Sequence, residues 1–88
     1  MVEKVVHVQN KLGIHARPAA LLVRTASKFS SDIFLLKDGQ EINGKSIMSV
    51  MALAAEYGSE MTIRAIGDDE DLAVVKLTGL FDNRFEED

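Results

Sequence analysis

The chain has 88 residues, 47% hydrophobic and 27% charged, which suits one modest core and is too short for two. Its net charge of −4 argues against a nucleic-acid binder, and the absence of cysteine excludes disulfides and thiolate metal sites. No apolar run approaches the roughly 18 residues that a membrane span requires. The charge is uneven: residues 1–66 carry eight Lys/Arg against six Asp/Glu, and residues 67–88 carry two against eight. The opening Met1-Val2-Glu3-Lys4 has no basic-then-apolar leader pattern, so the expected location is cytoplasmic, without membrane insertion.

Val2–Val8 reads as a strand, with Val2, Val6 and Val8 on one face and Glu3, Val5 and His7 on the other. From about Ala16 the period becomes helical, and Ala19, Leu22, Val23, Ala26 and Phe29 share one apolar side. Ser30-Ser31-Asp32 breaks that helix. Asp38-Gly39 then suits a type I′ turn between strands Ile33–Lys37 and Gln40–Asn43.

Ser46 is placed to cap a second helix whose inner side is Ile47, Val50, Met51 and Ala54, with Gly58 as its stop. Met61, Ile63 and Ala65 alternate with Thr62, Arg64 and Ile66 in a fourth strand. An acidic run, Asp68–Asp71, opens a last helix with Val74, Leu77, Leu80 or Phe81, and Phe85 inside. Glu86-Glu87-Asp88 reads as a frayed tail. The order βαββαβα predicts a two-layer α+β sandwich, with residues 1–88 forming one domain.

The chemistry concentrates in Gly13-Ile14-His15-Ala16-Arg17-Pro18. His15 stands where a loop becomes a helix, and proline is tolerated in a first helical turn. Free amides and the positive dipole end at such a start favour an anion, and Arg17 adds a planar charged fork matched to phosphate. Positive charge nearby favours the neutral, nucleophilic ring. The parts make a phosphoryl-accepting histidine, although a histidine that merely caps the helix or fills space there fits the same spacing.

His7, inside a strand pattern, reads as a surface or half-buried residue. Ser46 reads first as a cap and second as a phosphorylation site, with Lys45 placed to offset a phosphate partly. Met48 falls outside the inner side of its helix, and Leu12, Ile14 and Leu21 are positioned to form an apolar collar around His15. No phosphate-binding glycine loop, zinc-protease helix motif, nucleophile elbow or calcium-loop spacing is present, and no cofactor or metal is called for. An RNA-binding βαββαβ module would need stacking aromatics on two strands and a basic face, which this sequence lacks.

Gly13-Ile14-His15-Ala16-Arg17-Pro18-Ala19 followed by Gly44-Lys45-Ser46-Ile47-Met48 resembles the HPr family, the histidine-containing phosphocarriers of the bacterial phosphoenolpyruvate-dependent sugar phosphotransferase system. The resemblance implies an open-faced β-sandwich, with a four-stranded antiparallel sheet in the order 1-4-2-3 and three helices on one face. It implies phosphorylation of His15 on Nδ1 by enzyme I, stabilisation by Arg17, and onward transfer to IIA domains of sugar permeases. That role is a carrier's and not a stand-alone enzyme's.

Leu12, Ile14, Leu21, Arg24, Lys45, Ile47, Met48 and Met51 would then form a shared docking surface on a monomer. Ser46 matches the family's regulatory serine, which implies an HPr kinase/phosphorylase and a catabolite-control regulator as further partners. A regulatory paralogue that does not feed sugar uptake would share the same residues. The segment Phe81–Asp88 departs from the familiar pattern.

Overall fold

The computed structural model describes residues 1–87. Its elements are β1 (Val2–His7), α1 (Ala16–Ala26), β2 (Asp32–Lys37), β3 (Gln40–Asn43), α2 (Ile47–Ala52), β4 (Glu60–Ile66) and α3 (Glu70–Asp82). The strands form one sheet in the order β1-β4-β2-β3, antiparallel at every pairing. This is the open-faced sandwich and strand order that the resemblance implied.

Period-two alternation decides what each sheet face meets. Val6, Ile33, Leu35, Met61, Ile63 and Ala65 are buried under the helices. The register stacks them, with Ala65 opposite both Val2 and Ile33, and Ile63 opposite Leu35. The other face carries Glu3, Val5, His7 and Arg64. There the Arg64 guanidinium donates from Nε to Glu3 and from Nη1 to Glu41, at 2.6 Å each. The Glu3 hydrogen bond, followed by attraction to both carboxylates, raises the Arg64 pKa further. Among the described residues no helix is long and apolar enough to cross a membrane.

Helix α1 buries Ala19, Leu22 and Ala26, spaced three and four apart, together with Pro18 in its first turn. The β2–β3 turn has positive φ at both Asp38 (52°) and Gly39 (80°), as a type I′ hairpin demands. Helix α3 buries Ala73, Val74 and Leu77 with Phe81, while Leu80 is half-buried.

The acidic stretch before α3 does more than complement a dipole. The Asp69 carboxylate accepts from the Ser30 amide (2.9 Å), the Ser31 amide (3.0 Å) and the Ser31 hydroxyl. It clasps the α1–β2 link to the start of α3.

Two expectations fail, each for a local reason. Helix α2 ends at Ala52, well short of Gly58, because Ala54 adopts a left-handed conformation at φ 51°. With fewer than two turns only Val50 of the helix faces the core; Ile47 and Met51 are 40% and 42% exposed, Ala54 is exposed, and Leu53 fills the buried place beyond. Gly58 instead turns the chain into β4 at φ 86°.

The tail is the second correction, since Glu86 and Glu87 belong to an ordered turn. Arg84, Phe85 and Glu86 all have positive φ (53°, 52° and 61°), which reverses the chain in a left-handed turn. Phe85 is buried edge-on to Phe81, with ring centroids 4.9 Å apart. Asp88, the end of the expected frayed segment, lies outside the described residues.

Candidate functional site

The loop between β1 and α1 is held from below. Asn10 is completely buried, and its Nδ2 donates to the Gly13 carbonyl at 2.6 Å. Gly13 takes φ 71°, and a Cβ there would lie 2.5 Å from the Ala55 carbonyl oxygen. Only glycine lets the loop close on that segment, where the Ile14 amide donates to the same oxygen at 2.9 Å. His15 therefore arrives at the N-cap of α1 on a fixed backbone, with φ −83° and ψ −168°.

The His15 side chain makes no capping hydrogen bond. The first-turn amides of Ala16 and Arg17 consequently have no cap acceptor from it, and Pro18 contributes no N–H. This helix start thus keeps its anion-binding potential at the histidine. His15 is 37% exposed by side chain, and its Nε2 lies 3.0 Å from Glu87 Oε2. A carboxylate only accepts, so Nε2 carries the proton, and in the neutral ring the free lone pair belongs to Nδ1.

Arg17 is exposed and lines a shallow cleft with Lys11, Leu12, Glu86 and Glu87. On the other side of His15 a second depression is lined by Leu12, Ala55, Glu56 and Tyr57, again with Lys11. The expected positive setting is thus incomplete: Lys11 and the α1 start lie beside the ring, and a carboxylate holds its Nε2 edge.

The remaining residues singled out in the sequence divide. Leu12 (78% exposed) and Met48 (77%) are open, as are Arg24, Ile47 and Met51. Leu21 is half-buried against the core, and Ile14, at 5% exposure, lies inside the core and not in a collar. Ser46 is the N-cap of α2, its Oγ accepting from the Ser49 amide at 3.3 Å. Lys45 Nζ donates to the Phe29 carbonyl at 2.7 Å, so this cation is engaged elsewhere and not at Ser46. His7 sits across from Glu60 on the open sheet face, with Nε2 3.3 Å from Oε1, remote from this chemistry.

Lys11, Asn10, Tyr57 and Glu87 were not singled out from the sequence. Lys11 is visible there as a cation four residues before His15. Glu87 gives no such signal, because only the left-handed turn brings it back across the molecule.

The sheet order, the three covering helices and a histidine at an uncapped helix start define the phosphocarrier class of open-faced sandwich. A family model described as the PTS HPr component phosphorylation site matches residues 2–83. The chain is 51% identical over 88 residues to the phosphocarrier protein HPr of Treponema pallidum, covering all of both. The solved structure of HPr from Thermoanaerobacter tengcongensis (HPr-C-His) is 46% identical, with a TM-score of 0.97 over 100% of this chain and 99% of that one. Bacillus subtilis Crh, described as a catabolite repression protein forming a swapped dimer, is 48% identical with a TM-score of 0.76, over 96% and 97% of the two chains. The chain belongs to the HPr family of phosphocarrier proteins of the phosphotransferase system.

Proposed function

We propose that residues 1–88 act as one carrier unit that accepts a phosphoryl group on His15 Nδ1 from phospho-enzyme I and passes it to IIA domains of sugar permeases. The observation that carries this reading is the His15 ring itself: Nε2 is engaged by a carboxylate and Nδ1 keeps the lone pair, beside an uncapped helix start. In the transfer Nδ1 supplies the electron pair of the new N–P bond, and the donor atom takes back the pair of the bond that breaks. The Ala16 and Arg17 amides, the Arg17 guanidinium and Lys11 stabilise the phosphoryl oxygens. An exposed helix start, and not a deep pocket, suits a group that must leave as readily as it arrives.

Leu12, Ile47, Met48 and Met51, with Tyr57, supply the adaptable apolar surface on which donor and acceptor dock in turn, and Arg24 lies beside it. Ser46 phosphorylation by an ATP-dependent kinase would add about two negative charges next to Ile47 and Met48 and weaken enzyme I docking. The unit works as a cytoplasmic monomer without a cofactor.

A second reading, favoured by the likeness to Crh, is a regulatory paralogue that takes phosphate without supplying sugar uptake. Incubation with enzyme I and phosphoenolpyruvate, followed by a sugar IIA domain, separates the two. The carrier forms one acid-labile phosphate and loses it to the IIA domain. A phosphate that forms and stays supports the paralogue.

A further inference from the structure

The last residue with a described position spends its charged side chain on the reacting ring. Glu87 Oε2 accepts from His15 Nε2 at 3.0 Å, and Glu87 Oε1 accepts from Asn10 Nδ2 at 3.0 Å. Asn10 is wholly buried and is itself tied to the Gly13 carbonyl in the loop that delivers His15. The carboxylate is only 15% exposed, so a fixed donor holds one oxygen while the other oxygen holds the imidazole.

Reaching this position is costly. Three consecutive non-glycine residues, Arg84 to Glu86, lie in the left-handed region, which their side chains disfavour. Burial of Phe85 against Phe81 offsets part of that cost. Phe85 alone does not account for where Glu87 goes; the turn aims it at His15.

We propose that Glu87 is a positioning residue for the phosphoryl acceptor, holding His15 in the Nε2–H tautomer and balancing the positive charge the ring gains as the Nδ1–P bond forms. The proposal rests on the carrier reading of His15. When Nδ1 donates its electron pair to phosphorus, the ring keeps its Nε2 proton and becomes cationic, while the donor atom recovers the pair of the broken bond. A carboxylate fixed at Nε2 is preorganised for that charge, as the aspartate of a serine-protease triad is for its histidine.

Two readouts on Glu87→Ala and Glu87→Gln test this. Nitrogen-15 NMR of the unphosphorylated ring reports the tautomer, and phosphoryl uptake from phosphoenolpyruvate through enzyme I reports the rate. The native chain is expected to show Nε2–H alone, and E87A a mixture of tautomers with uptake about tenfold slower at unchanged KM for phospho-enzyme I. E87Q keeps an acceptor without the charge, so it should restore the tautomer but not the full rate. Native ring signals or native uptake in E87A would overturn the proposal and reduce Glu87 to an anchor of the tail. A native chain with the Nε2–H ring that takes up no phosphate at all would sink the carrier reading, and with it the charge-balancing role.

Discussion

His15 has two ring nitrogens in unlike surroundings, and on the proposed carrier reading this difference decides which one takes the phosphoryl group. Nε2 is engaged by Glu87, and the groups proposed to meet the phosphoryl oxygens are the α1 amides, Lys11 and Arg17. Arg17 is exposed, so the role proposed for it is electrostatic and not one of packing. Arg17→Ala should slow phosphoryl uptake by about ten- to a hundredfold while leaving the thermal midpoint unchanged. Unaltered transfer kinetics would remove Arg17 from the site. At this scale the sequence is informative about His15, Arg17 and the Ser46 cap, because each depends on neighbours within a few positions. Glu87 is illegible there, since its partners His15 and Asn10 lie 72 and 77 residues away along the chain.

Elements are set by periodicity where they are long and by the chain's turns where they are short. The alternation of β4 predicts its buried face, and the three-and-four spacing of α1 predicts Ala19, Leu22 and Ala26, whereas Val23 is half-buried and Phe29 lies beyond the helix end. Helix α2 breaks the rule because six residues cannot present a continuous stripe, so Ile47 and Met51 are left exposed.

The link between α1 and α3 rests on Asp69, whose pKa is lowered from an ordinary 3.8 to about 2. The Ser31 hydroxyl is the leading cause, followed by the Ser30 and Ser31 amides. A carboxyl lowered in the folded state contributes stability that is full above its unfolded value and is lost as pH falls through the folded one. The contribution should therefore fade between about pH 4 and pH 2. Asp69→Asn should lower stability at neutral pH and flatten its decline across that interval, measured by urea unfolding at several pH values. A native-like pH profile in the variant would contradict the clasp.

Over the whole molecule, the division between a basic first part and an acidic end does not survive folding. The left-handed turn returns Glu86 and Glu87 to the cleft that holds Lys11 and Arg17, so the site joins both charge signs. The sheet edges are poor templates for a second copy: β1 carries Glu3 and Lys4, and β3 has four residues, three of them polar. Sedimentation velocity at micromolar concentration should accordingly give a monomer, and a stable dimer would place this chain with its swapped relative Crh.

A carrier built around His15 must accept one phosphate on one atom. Mass spectrometry after incubation with enzyme I and phosphoenolpyruvate should find a single acid-labile phosphate on His15, absent from His15→Ala. A phosphate that persists in His15→Ala, or that survives acid, would contradict it.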